Sequence, residues 1–508
     1  MRQFLPFVIS FGLLEPAFAQ EANPLSAIDW LSQSVEQPRI QAVASPQPTW
    51  PSEPATSTNA DARSVTVTAL GAVSPDPIGL LPPDVTGLPR DLWAASDSET
   101  LINLIQSARL DTLPVIHDLM MTLLLAEADP PLGAGADGGL FLARVDKLLD
   151  IGALDPALAL LEQVDAETPD LFRRFFDVAL LTGAEDDACD VMRATPSVAP
   201  TFPARIFCLA RGGDWAAAAL TLNTHRVLGD ITPDEEALIS RFLDPDLYED
   251  EAPLPLPDRI SPLVFRMHEA IGEPLTTTRL PNAFAHADLR NTTGWKSQLD
   301  AAERLGRSGA VSENVLHGAY LAHKAAASGG VWDRVAVIKR LDVAVLGADA
   351  EAIARHLPDA WDAMAAVKLE VPFARLYAPT LANMSLTGDA ADIALTLGLL
   401  SPDYEQAALD AAPSFLTTLA TGAPIGPKTP VETAIFAGFT DAEPAPELEA
   451  LARNGNLGEA LLNAITTFNA GVAGDTAALT ATLAFWRFVG LEDVARKAAL
   501  QILILDRT

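Results

Sequence analysis

The sequence predicts an all-α protein of stacked antiparallel helical hairpins, preceded by a disordered N-terminal linker and one short extended strand. Three observations carry that expectation. Hydrophobic residues make up 49% of the chain and aromatics only 6%, so alanine and leucine, both strong helix formers, supply most of the apolar content. From Ser96 onward apolar residues recur at helical spacing. Short turns rich in glycine and proline interrupt that pattern at intervals suited to helices of roughly 10–18 residues.

At 508 residues the chain is long enough for about three domains of roughly 150 residues, or for one elongated array. It carries 34 basic against 67 acidic residues, a net charge of −33. Such a field repels phosphate backbones, so no nucleic acid partner is expected, and it disfavours anionic membrane surfaces.

Taken in order, residues 1–19 read as a signal peptide. Arg2 and the amino terminus are positive, Phe4 to Leu14 is apolar, and Ala17-Phe18-Ala19 fits the small-x-small cleavage pattern. The segment is too short for a comfortable membrane span. The best later candidate for an anchor, Gly471 to Gly490, contains Asp475 and Arg487, and a central charge costs at least about 2.5 kcal/mol on insertion. The expected location is therefore the periplasm, with secretion as the alternative, and no transmembrane anchor is expected.

Residues 20–95 read as a disordered or extended Pro-rich linker. Gln37 to Asp61 holds five prolines and cannot build a core. Arg63 to Val73 alternates, with Val65 and Val67 on one face and Thr66 and Thr68 on the other, the signal of a short strand. Leu80, Leu81, Leu88 and Trp93 are placed to pin the stretch onto a helical body, so Val65 to Trp93 is expected to be docked.

Helical repeats follow over 96–243 and 263–508, with residues 244–262 as a Pro-rich, acidic hinge. Ser96 with Glu99 spells a capping box, and Asp155-Pro156, Thr168-Pro169 and Thr232-Pro233 each place a cap before a first-turn proline. In the segment after Thr168, Leu171, Phe172, Phe175, Phe176, Ala179 and Leu180 form one stripe, with Arg173, Arg174 and Asp177 on the other side. Trp295, Trp332, Trp361 and Trp486 read as packing residues.

Cys189 and Cys208 are the only cysteines. In an exported chain two thiols this close pair, provided neighbouring antiparallel helices bring them into range. The bridge would contribute about 3 kcal/mol.

Chemistry-bearing motifs are weak. Gly133, Gly135 and Gly138 spell G-x-G-x-x-G, but a helical stretch precedes them where a dinucleotide site needs a strand. Asp244, Asp246, Glu249, Asp250 and Glu251 fail the calcium-loop pattern, because Glu249 stands where the turn glycine belongs. The seven histidines form no H-x-x-x-H pair, and no G-x-S-x-G is present. No catalytic, cofactor-binding or metal-ligating residue is assigned, and no cofactor is expected.

Gly-x4-Ala recurs at Gly152/Ala157, Gly183/Ala188, Gly213/Ala218, Gly455/Ala460 and Gly490/Ala495. This pattern resembles the tetratricopeptide-type α-solenoid, whose period is about 34 residues. Gly79 to Pro83 and Ser328 to Asp333 resemble segments of exported helical proteins of alphaproteobacterial type, a resemblance that brings no activity with it. The expected function is a non-enzymatic scaffold or adaptor of the cell envelope, binding a protein or peptide on a helical-repeat surface. The alternative is a cell-wall-acting enzyme related to soluble lytic transglycosylases, which are similar in their alanine-rich helical superhelix; Glu432 is given no role in it.

Overall fold

Several hairpins turn on a glycine in a conformation that other residues rarely adopt, whereas Ala348 and Lys368 take the positive-φ position at two further turns. Gly152, Gly183, Gly213, Gly455 and Gly490 all have φ between +84° and +92°, the left-handed region that ends helices. The alanines five residues later, Ala157, Ala188, Ala218, Ala460 and Ala495, are each fully buried. A small side chain there lets the two helices of a pair approach closely. The pairs formed this way include Gly139–Ile151 with Leu154–Leu161, Phe202–Arg211 with Trp215–Leu228, and Thr476–Phe488 with Glu492–Leu505.

The structure is a computed structural model describing residues 74–164, 168–325 and 327–505. Over those residues the fold is all-α: twenty-five α-helices and three 3-10 turns. No strand occurs among the described residues; two isolated parallel bridges, Leu81–Ala126 and Asp97–Leu132, are the β pairing present there. The signal-peptide reading, the linker as far as Val73 and the Arg63–Val73 strand lie outside the described residues.

Local chemistry sets most helix starts. Thr168 accepts from the Leu171 amide, and Thr232 forms a full capping box with Glu235. Two expected caps move. Asp97, not Ser96, caps the helix Ser98–Ser107, because Ser96 is buried and its hydroxyl accepts from Asn456 Nδ2 at 3.1 Å. The helix Leu154–Leu161 starts before Asp155-Pro156, since Ala153 and Leu154 are drawn completely into the core directly after the Gly152 turn.

Two buried clusters carry the fold. The larger runs from Leu88 to Leu505, drawing residues from both sides of 244–262. The smaller, Phe172 to Met267, surrounds the cysteines. Helices Pro169–Thr182 and Pro262–Ala270 pack together and contribute to both clusters. That position corrects the expected two-sided character of Pro169–Thr182: Arg173, Arg174 and Asp177 are buried rather than solvated. Arg174 is held by Asp146 through two bonds of 2.6 Å.

The last helices return to the first. Leu457–Val472 packs on Ser98–Ser107, and Glu492–Leu505 packs on Pro114–Leu125. The array is thus closed on itself, with no free end at either contact.

Residues 74–97 lie as a strap across this closure. Leu80 and Leu81 donate their amides to Leu125 O at 2.8 and 3.0 Å, and the Glu127 amide returns to Leu81 O. Arg144, fully buried, donates from Nε to Leu124 O at 2.7 Å, from Nη1 to Asp76 O and Ile78 O, and from Nη2 to Ala126 O. One guanidinium therefore satisfies carbonyls on both extended segments. Burial pushes its pKa down to about 10, which leaves it charged at neutral pH. At the other end Trp93 lies over Gly458, where a Cβ would meet its ring at 2.3 Å, and the Gly458 amide donates to Leu92 O. The strap chemistry also explains Gly138, since a Cβ there would strike the Pro75 ring.

Candidate functional site

Four helices bring the most enzyme-like side chains together: Trp295–Arg307, Glu313–Leu321, Val331–Leu346 and Glu370–Leu381. Glu303 is buried, accepts from Tyr320 Oη at 2.7 Å, and is gripped by Arg334 Nε and Nη2 at 2.8 and 2.7 Å. One helix turn along, His317 Nε2 lies 2.8 Å from Asp342 Oδ1, which Tyr377 Oη approaches at 3.4 Å. Burial, reinforced by Glu303 and Asp342 respectively, pushes both phenols well above the usual tyrosine range. Neither phenol gives up its proton at neutral pH. The carboxylates are saturated by partners on neighbouring helices, and among the described residues no Ser, Thr or Cys hydrogen-bonds to His317. This arrangement ties helices together; it does not present a nucleophile and base to a substrate.

Two clefts occur near the closure. One, of about 340 Å³, is lined by Asp118, Arg375, Ser401, Lys497 and Gln501 among others. Its cations are already engaged, Arg375 with Asp118 at 2.5 Å and Lys497 with Asp493 at 2.9 Å. The other, of about 230 Å³, contains His117 and Lys147. Lys147 is buried and donates to Gln106 O, Ala108 O and Asp150 Oδ2 at 3.0 to 3.1 Å.

The surface feature of a different kind is the helix Trp215–Leu228. Asp214 caps it by accepting from the Ala217 amide, and Gly229 ends it in the left-handed conformation. Only Ala218 and Leu222 are buried. Opposite them, Ala216, Ala219, Leu220, Asn223 and Val227 fall on one stripe by helical spacing. Leu220 is 68% and Val227 81% exposed, Leu228 is also largely exposed, and Trp215 is half-exposed beside Phe242. A solvated helix face ordinarily carries charge; here Arg226 is the one lysine or arginine in the helix, and it is paired with Glu236 at 3.0 Å.

No protein-family model, no characterised protein and no solved structure matches this chain. The functional reading therefore rests on the geometry.

The expected disulfide is present. Cys189 on Glu185–Ala194 and Cys208 on Phe202–Arg211 are bonded, with Cα atoms 5.0 Å apart, at the centre of the smaller cluster. The three glycines of the G-x-G-x-x-G run belong to the loop entering Gly139–Ile151, with Gly138 as its N-cap. The acidic run at 244–251 includes the 3-10 turn Pro245–Tyr248, and Arg241 anchors the segment through Glu251, Ala252 O and Glu273. Glu432 completes the capping box of Pro430–Phe439 with Thr429. Trp486 is fully buried, while Trp295, Trp332 and Trp361 are half-buried against the main cluster. Among the described residues no group of three or more His, Cys, Asp or Glu is placed to hold a metal ion, and no helix is long and apolar enough to cross a membrane.

Sequence reasoning passed over the Trp215–Leu228 face. Its run Trp-Ala-Ala-Ala-Ala-Leu has the composition of a buried helix, and the available signal was the scarcity of charge on any face.

Proposed function

We propose that this chain is a non-enzymatic scaffold or adaptor of the cell envelope, acting in the periplasm and binding a protein or peptide on its helical surface. The observation that carries the reading is the uncharged outward face of Trp215–Leu228, with Leu220 and Val227 left in water. Exposed apolar area of this kind on an otherwise acidic protein marks an interaction surface. The Cys189–Cys208 bridge is compatible with an oxidising compartment. Glu303 and Asp342 are engaged by partners on neighbouring helices, which favours binding over catalysis there.

A photo-crosslinking residue at Val227, introduced in living cells, tests the reading. A discrete protein adduct that disappears in the Leu220→Ser background supports the adaptor. If no adduct forms and the purified chain releases soluble fragments from peptidoglycan, the cell-wall enzyme is the better description.

A further inference from the structure

Resting on that reading of the Trp215–Leu228 face, we infer that its partner is a basic amphipathic helical segment, apolar along one stripe and rich in lysine or arginine beside it. Charge at the rim of the face carries the inference. Between Gly212 and Glu236 the chain holds one arginine and no lysine against Asp214, Asp230, Asp234, Glu235 and Glu236. The arginine is neutralised by Glu236, and Asp230 sits 2.8 Å from His225. Asp230 and Asp234 are exposed just beyond the carboxyl end of the helix, where the helix's own carbonyls add partial negative charge. An apolar stripe ending in that field is complementary to apolar side chains at helical spacing flanked by cations.

The two occupants available from the chain itself carry the wrong sign. Residues 1–73 contain three arginines and six carboxylates, and a second copy brings a net charge of −33 to a surface that is already acidic. Both would approach against repulsion.

Binding of three synthetic 16-residue peptides to the full chain, followed by fluorescence anisotropy, tests the inference. One has leucine at i, i+4, i+7 and i+11 with lysine at the charged positions. The second replaces lysine by glutamate, and the third by serine. The lysine peptide is expected to bind, to lose at least tenfold in affinity in the Leu220→Ser/Val227→Ser variant, and to lose about threefold per carboxylate at low salt in Asp230→Asn and Asp234→Asn. Lysine-peptide binding unchanged in the Leu220→Ser/Val227→Ser variant would show only polycation adhesion and overturn the inference. Serine-peptide binding of equal strength, lost in that same variant, overturns the basic partner while leaving the docking face in place. Failure of all three peptides removes both. A dimer in sedimentation that Val227→Ser dissolves, or a crosslink from Val227 into residues 1–73, assigns the face to another occupant and likewise overturns it. Circular dichroism of the variants, all at surface positions, confirms that the fold is retained.

Discussion

Gln501 caps an early helix through an amide 386 residues before it. Its Oε1 accepts the Val115 amide at 3.0 Å in a buried setting, at the start of Pro114–Leu125, where the N-cap residue Leu113 has no side chain able to do so. The last helix thereby satisfies one of the orphan amides of an early one.

Replacing Gln501 by leucine leaves that amide buried without its acceptor. The expected cost is about 1–3 kcal/mol, read as a lower urea midpoint with an unchanged slope. Hydrogen exchange at Val115 and Ile116 should accelerate along with it.

Arg144→Leu removes one group from four carbonyls and opens a route for the strap to lift. About 3 kcal/mol or more is expected to be lost, with new proteolytic cleavage between Ile78 and Leu88. Arg144→Lys should recover little, because an ammonium lacks the planar fork that reaches both segments. Full recovery by lysine would show that charge alone is what the site needs.

The variant with both Cys189→Ser and Cys208→Ser opens a loop closed over a sequence separation of 19 residues. Its stability should fall by about 3 kcal/mol, and reductant should bring the wild-type melting temperature down to that of the variant while leaving the variant unaffected.

Asp177 sets a pH dependence. Burial raises its pKa from the ordinary 3.8 to about 7, opposed by Arg173 and Arg174 and reinforced by Asp146. The folded state binds the proton more tightly than the unfolded one, so the associated stability is complete below about pH 4 and is lost as pH climbs through 7. Asp177→Asn should flatten this limb, becoming the more stable protein at pH 8 by a few kcal/mol and losing that advantage by pH 4. Chemical denaturation of both proteins at pH 4, 6 and 8 measures the crossing.

What the sequence disclosed was local. The Gly-x4-Ala turns, the Thr168 and Thr232 caps and the Cys189–Cys208 pair each depend on residues within about twenty positions, and spacing alone exposes them. Arg144 and Gln501 were not legible in their roles, since their partners come from elements distant in the chain, nor was Asp177, whose burial depends on the helices packed against Pro169–Thr182. A charged residue on a helix reads as solvated until the neighbour that covers it is known. The Trp215–Leu228 face failed in the opposite sense: its composition describes a core helix, and only the structure shows that no element among the described residues covers it.

The return of Leu457–Val472 and Glu492–Leu505 to the opening helices sets a schedule for biosynthesis. A ribosome adding roughly 5–20 residues per second needs about 20 to 75 s to travel from Val115 to Gln501. At its start Leu101, Ile105 and Ile116 have been made and Gly139–Ile151 soon packs beside them, whereas Leu457–Val472 and Glu492–Leu505, which cover the remaining side, come last. A chain cut before residue 457 lacks both returning helices and leaves the sides of Ser98–Ser107 and Pro114–Leu125 that they cover open to water.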